Sequence, residues 1–330
     1  MNHEEIKLTL QKVALLQALE PAELEYILPF VKLCQFPINS LIIQQGKPGN
    51  GMYIIKQGSV QVNVRLPGNI ENKIAVLNDQ DFFGEATLID GGIATASVLT
   101  LAKTQCYFIS NDYFRMLQLS APLVAHKICV AINQGVGARL QYINQQLAGR
   151  LVDIKKALPA NKYKLSKPET TTFSNLAQFN INTSYLIKQG VFSHFNEIEL
   201  KELFKYMPIR KAARDCILFN EKDKAIAFYL VAQGAVQMTV AKNNKISKLS
   251  VVGPGGIFGL LAYFHKHNHS ATATAREEIV VLEFKHTNME LLQQQNPLLF
   301  YKWYFVISQT LIMMLRAADK DLIRLASRLH

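Results

Sequence analysis

Shifted by 176 positions, the chain matches itself: YIIKQGSVQVNV (Tyr53 to Val64) lies over YLVAQGAVQMTV (Tyr229 to Val240). Upstream, LLQALEPAEL (Leu15 to Leu24) faces VFSHFNEIEL (Val191 to Leu200), and SLIIQQG (Ser40 to Gly46) faces CILFNEK (Cys216 to Lys222). Downstream, after the loss of one residue, FFG (Phe82 to Gly84) faces IFG (Ile257 to Gly259). A period this long means two whole domains of one design, not a solenoid of short units. Whatever fold is proposed must therefore work twice within 330 residues, each copy burying a core of its own.

Both copies read alike. First come apolar residues at helical spacing: Leu15, Leu16, Leu19, Leu24, Ile27 and Leu28 in one, Phe192, Phe195, Leu200, Leu203 and Phe204 in the other. Short strands follow. Val60, Val62 and Val64 alternate with Gln61, Asn63 and Arg65, as Val236, Met238 and Val240 alternate with Gln237 and Thr239. GKPGNG, LPGN and LNDQD punctuate the first copy and NEKDK, KNNK and GPGG the second, so neighbouring strands are expected to be antiparallel and joined by tight turns. A long helical pattern closes each copy, from Pro122 to about Leu158 and from Pro297 to the end. The expected fold is α+β: two repeated antiparallel β-roll (jelly-roll-like) domains, each with an N-terminal helix and a long C-terminal helix. Boundaries are expected at 1–157 and 185–330. The linker between them, 158–184, is polar and carries Pro159 and Pro168.

Charge is uneven. Residues 1–150 carry 12 Lys/Arg against 11 Asp/Glu, and the remainder carries 24 against 14, so the net +11 lies almost wholly in the second half. A basic half suits nucleic acid, anionic lipid or an acidic partner, while dispersed lysines also describe an ordinary solvated surface. Four scattered cysteines, Cys34, Cys106, Cys129 and Cys216, show no metal or disulfide spacing and fit a reducing cytoplasm. Tyr304 to Leu315, the most apolar stretch, is shorter than a membrane span and contains Ser308, Gln309 and Thr310, so no span is expected. The N-terminus lacks the uninterrupted apolar run of a secretory signal.

The segment FGEATLIDGGIATASV (Phe83 to Val98) returns as FGLLAYFHKHNHSATA (Phe258 to Ala273). Helix, antiparallel roll with an F-G-E turn, then long helix resembles the cyclic nucleotide-binding domain family, which includes protein kinase A regulatory subunits and the bacterial catabolite activator. The resemblance covers roughly residues 8–150 and 185–330. It implies that the F-G-E turn opens a phosphate-binding cassette whose Glu accepts from the ribose 2′-hydroxyl and whose Arg, in an Arg-(Ser/Ala)-Ala run, pairs with the cyclic phosphate. The implied ligand is cyclic AMP or cyclic GMP, held in the first copy by Phe83, Gly84, Glu85, Ala86, Ala94, Thr95 and Ala96, and in the second by Gly259, His269 and Ser270.

Each copy departs from that pattern. Ala94 fills the arginine slot of the first, and a charge-assisted contact to phosphate is worth about 1.5–3 kcal/mol, one to two decades of affinity. Thr95 retains a hydroxyl donor but no charge. In the second copy Leu260 stands where the ribose-binding Glu belongs, and His269 takes the arginine slot, where a protonated imidazole would partly replace a guanidinium.

Other chemistry finds little footing. HKHNH (His265 to His269) spaces three imidazoles at alternate positions, yet no Cys or carboxylate is near in sequence to complete a metal site. No G-x-S-x-G, G-x-x-x-x-G-K-[ST] or H-E-x-x-H occurs, so no catalysis and no cofactor are expected. Nor does a helix-turn-helix follow either long helix, which argues against sequence-specific DNA binding. Broad apolar stripes on the long helices suggest a protein partner or a homodimer. Two readings stay open: a regulatory sensor of a cyclic nucleotide or another anionic small molecule, and a scaffold with dead pockets.

Overall fold

A computed structural model describes residues 3–66, 70–151, 190–242, 245–265 and 268–326. The expected linker 158–184 and the boundaries beside it lie outside the described residues. The chain divides into two compact units, one of Met1–Val136 with Ile312–His330 and one of Gly137–Leu311.

In the first unit, short helical pieces precede the sheet strands: α1 (His3–Leu10), a 3-10 turn at Ala14–Leu16, α2 (Pro21–Leu24) and another 3-10 turn at Leu28–Phe30. The apolar spacing over Leu15–Leu28 thus belongs to fragments and not to one helix. Pro21 sits at the start of α2 and Pro29 in the first turn of the last piece, where a missing N–H costs nothing, and each forces a fresh start. The apolar side chains are nonetheless all buried, Leu15, Leu16, Leu24, Ile27 and Leu28 among them.

Eight strands follow: β1 (Lys32–Phe36), β2 (Leu41–Ile43), β3 (Gly51–Gln57), β4 (Val60–Leu66), β5 (Ile70–Leu77), β6 (Phe82–Phe83), β7 (Ser97–Thr100) and β8 (Thr104–Ser110). They form two four-stranded antiparallel sheets, β1-β8-β3-β6 and β2-β7-β4-β5. Tyr53, Ile55, Val60, Phe83, Val98 and Cys106 fill the space between them. Between β6 and β7 stands a short helix, α3 (Glu85–Asp90). After β8 come α4 (Asn111–Ser120), capped by Ser110 whose hydroxyl accepts from the Tyr113 N–H, and the long α5 (Pro122–Leu151).

The second unit repeats the plan. A 3-10 turn at Gly190–His194 and α6 (Glu197–Phe204) lead into β9 (Ile209–Ala212), β10 (Ile217–Phe219), β11 (Ala227–Gln233), β12 (Val236–Lys242), β13 (Lys245–Val252), β14 (Ile257–Phe258), β15 (Thr272–Ala275) and β16 (Ile279–Lys285). Their sheets run β14-β11-β16-β9 and β10-β15-β12-β13, the order of the first roll. The helices are α7 (Leu260–His265), α8 (His286–Gln295) and α9 (Pro297–Ala326), the last of which passes into the first unit at Ile312.

Repetition reaches individual contacts. Phe83 pairs with Tyr53 and stacks on it at 5.2 Å, as Phe258 pairs with Tyr229 and stacks at 5.3 Å. Glu23 closes the capping box of α2 and takes Lys127 of α5 at 2.7 Å; Glu199 closes that of α6 and takes Lys302 of α9 at 2.7 Å. Isolated bridges recur between Pro48 and Ile93 and between Lys224 and Asn268.

By length and composition, Pro297–Leu322 of α9 qualifies as a membrane-crossing helix, which the shorter stretch considered in the sequence did not. Just over half of it is buried in the protein. Trp303 is fully buried among Phe192, Phe195, Phe228 and Phe284, the role of a core helix closing a β-roll.

Candidate functional site

The first cassette is built around two glycines in left-handed backbone. Gly84 (φ 83°) ends β6 and caps α3; Gly91 (φ 61°) ends it, its N–H donating to the Thr87 carbonyl. A methyl group on Gly84 would lie 2.7 Å from the Gly51 carbonyl oxygen and 3.2 Å from Ile43 Cδ1, so only glycine lets β6 turn into α3 beside β3. Buried Thr87 ties the turn to the sheet by donating its hydroxyl to the carbonyls of Gly84 (2.8 Å) and Gly51 (3.1 Å). Glu85 and Ala86 form the first turn of α3, both partly exposed.

The returning segment is fixed from its backbone. Ala94 donates to the Lys47 carbonyl (2.8 Å) and accepts from the Gly46 N–H (2.9 Å), while the Gly92 carbonyl accepts from Gly49 (3.1 Å). Phe83, Ala94 and Ala96 are buried and Thr95 partly so. The sequence-derived residues Phe83, Gly84, Glu85, Ala86, Ala94, Thr95 and Ala96 therefore form one continuous turn–helix–return on the face of the roll.

The second cassette has the same backbone with different contents. Gly259 (φ 79°) precedes α7, whose first residue, Leu260, is fully buried where Glu85 is partly exposed. His269 donates to the Asp223 carbonyl (2.8 Å) and accepts from Lys222 N–H (2.7 Å), the counterpart of the Ala94 pairing. Its imidazole stacks flat on Phe219, with centroids 3.6 Å apart and planes 9° apart. Both rings lie beside the cassette glycine: a methyl group there would make ordinary contact with Phe219 Cε1 at 3.4 Å and His269 Cε1 at 3.5 Å. In the first copy these two positions are Ile43 and Ala94.

Burial also decides the charge of that imidazole. His269 is 5% exposed, and desolvation pushes its pKa down to about 4 although nearby Asp223 pulls the other way. It is neutral at pH 7. The site offers this ring an aromatic face and little water. Ser270, next to it, is partly exposed.

Two contributors went unread in the sequence. Phe219 lies 50 positions before His269 and reads as an ordinary strand residue. Arg316, from the part of α9 that belongs to the first unit, reaches the first cassette: its Nη2 lies 2.8 Å from Asp90 Oδ1 and its Nη1 donates to the Ile93 carbonyl. No local signal marks either residue. Of the histidine run, Lys266 and His267 lie outside the described residues, and among the described residues no group of three metal-ligating side chains occurs.

Comparison with known proteins agrees with this geometry. The cyclic nucleotide-binding domain model matches twice, over residues 33–120 and 209–296. A CRP-like cAMP-activated global transcriptional regulator of Mycobacterium tuberculosis is 25% identical over 139 residues, 42% of this chain and 60% of that one. A cAMP-dependent protein kinase regulatory subunit of Aspergillus fumigatus is 29% identical over 108 residues, 33% of this chain and 25% of that protein. The match thus spans less than two thirds of the length of each of these curated relatives. Among solved structures, the regulatory domain of Toxoplasma gondii protein kinase A, crystallised with cAMP, covers 90% of this chain and 93% of its own at 13% identity and a TM-score of 0.34. With two matched domains, each laid out as the same roll with a glycine-opened turn and short helix, the chain belongs to the cyclic nucleotide-binding domain family.

Proposed function

We propose that this protein is a non-enzymatic regulatory sensor whose first cassette takes a ribose-bearing cyclic phosphate and whose second is closed by its own side chains. The observation that carries the reading is the contrast at matched positions: Phe219 and His269 stacked at 3.6 Å against the second cassette glycine, where the first copy has only Ile43 and Ala94. On this reading the two stacked rings stand where the other copy takes its ligand. The first copy, with the smaller Ile43 and Ala94 at those two positions, takes the guest, and Glu85 accepts from its ribose diol.

Signal output follows from the chain order. The cassette return runs through β7 and β8 into α4 and α5, so a ligand that binds one arrangement of α3 better than another biases the helices beyond it. Thermal-shift measurements with cyclic AMP and cyclic GMP test the reading. Ligand at one hundred times its Kd stabilises the bound state by ~2.7 kcal/mol, a shift of several degrees. Glu85→Ala abolishes the shift. A protein whose melting temperature ignores both nucleotides refutes the proposal and leaves a scaffold.

A further inference from the structure

Cys34 and Cys106 stand 72 positions apart in the sequence, and the fold sets them side by side. They are direct partners across the antiparallel pair of β1 and β8. Directly opposed residues of such a pair project from the same face of the sheet, with Cα atoms about 4.5–5.5 Å apart. A disulfide needs about 4.4–6.8 Å, so this pair can be joined where it stands. Both are free thiols. Their shared face is the inner one, since Cys106 is fully buried in the core of the first roll together with Tyr53 and Phe83. The Tyr53 hydroxyl senses both sulfurs: burial raises its pKa first, and Cys34 and Cys106 raise it further.

The roll itself does not demand cysteine at these two places. At the same register the second roll pairs Arg210 with Val281. The remaining cysteines do not repeat the arrangement, Cys129 lying within α5 and Cys216 just before β10. The two sulfurs of the pair differ in access. Cys34 is half-buried on β1, an edge strand of its sheet, whereas Cys106 lies on β8 between β1 and β3. Burial raises both thiols, Cys106 to about 12, while Lys32 pulls Cys34 partly back. Both are therefore held protonated at pH 7, so oxidation is slow and its rate climbs with pH. Cys34 is the sulfur that a reagent arriving from solvent meets first.

We propose that Cys34 and Cys106 are a modification site, joined as a disulfide when the protein meets a hydroperoxide, and that the link braces the first roll. The Cys34 thiolate attacks a peroxide oxygen; the O–O bond breaks, Cys34 becomes a sulfenic acid, and the other oxygen leaves as water or alcohol after taking up a proton. Cys106 sulfur then attacks Cys34 sulfur, so that the S–S bond forms, the S–O bond breaks, and the departing hydroxide leaves as water with the Cys106 proton. Two thiols give up two electrons and the peroxide receives them. A reducing thiol reverses the step by exchange. The link ties β1 to β8 inside the core that Phe83, stacked on Tyr53, helps to fill.

The test exposes the folded full chain to hydrogen peroxide at mildly alkaline pH, blocks the remaining thiols in denaturant and maps the peptides by mass spectrometry. One link is expected, Cys34 to Cys106, with Cys129 and Cys216 still free. The calorimetric melting temperature of the first unit rises by ~4 °C or more and falls back with dithiothreitol. Cys106→Val, which puts there the residue that the second roll carries as Val281, strands Cys34 as a sulfenic acid that dimedone traps. Cys34→Ser leaves Cys106 unoxidised. A link that fails to form or forms only in urea, Cys34 carried on to sulfinic acid while Cys106 stays free, or oxidation of Cys106 that persists in Cys34→Ser overturns the site. A link that leaves the melting temperature unchanged overturns the brace.

Discussion

Replacing His269 with leucine keeps a side chain of similar volume against Phe219 and removes the titrating group. The imidazole titrates near pH 6.5 in the unfolded chain and about 4 in the folded one. Between those values the unfolded state holds the extra proton, so the stability that burial of the neutral ring confers is complete above pH 6.5 and drains away as pH falls towards 4. From pH 7 to pH 5 this amounts to roughly 2 kcal/mol for a single histidine with that pair of constants. Trp303, the only tryptophan, lies buried in the second unit and reports its unfolding. His126, which burial also pushes down to about 4, belongs to the first unit and leaves that signal alone. Urea titrations followed by Trp303 fluorescence at pH 7 and pH 5 are expected to show wild type losing about 2 kcal/mol more than His269→Leu. Equal losses would mean that the ring is solvated and the second cassette open, and the argument from its closure would fail.

Two further substitutions probe the frame. Gly84→Ala places a non-glycine residue at φ 83° and its methyl 2.7 Å from the Gly51 carbonyl; a loss of at least ~1–2 kcal/mol is expected by denaturation, together with a weakened cyclic nucleotide response. Phe219→Ala removes one ring of the stack and costs about 3–5 kcal/mol in the Trp303-monitored transition, while the imidazole pKa of His269, followed by NMR, climbs back towards 6.5 as water enters.

Much of the architecture was legible because the repeat carries it. The matched Tyr53 and Tyr229 segments announce two rolls, and the alternation of Val60, Val62 and Val64 gives a strand its inward face. F-G followed by a short apolar run and Gly91-Gly92 locates the cassette, since those glycines answer a local demand for left-handed backbone. The helical fragments before β1 were misread as one helix because apolar spacing persists across Pro21 and Pro29, although the axis does not. Helix α4, just before the long pattern that begins at Pro122, went unread despite the Ser110 cap that marks its start. The contents of the two sites were hidden for a different reason. The stack on the His269 ring comes from Phe219, 50 positions before it, and the guanidinium on Asp90 comes from Arg316, 226 positions away. Such neighbours are made by tertiary packing, and no window of sequence contains them.

The account turns on one cassette being open and the other shut. Calorimetric titration of the full chain with cyclic AMP or cyclic GMP measures this directly: one site per chain is expected, lost in Glu85→Ala and retained in His269→Leu. Two sites per chain, or a single site that survives Glu85→Ala, would contradict it.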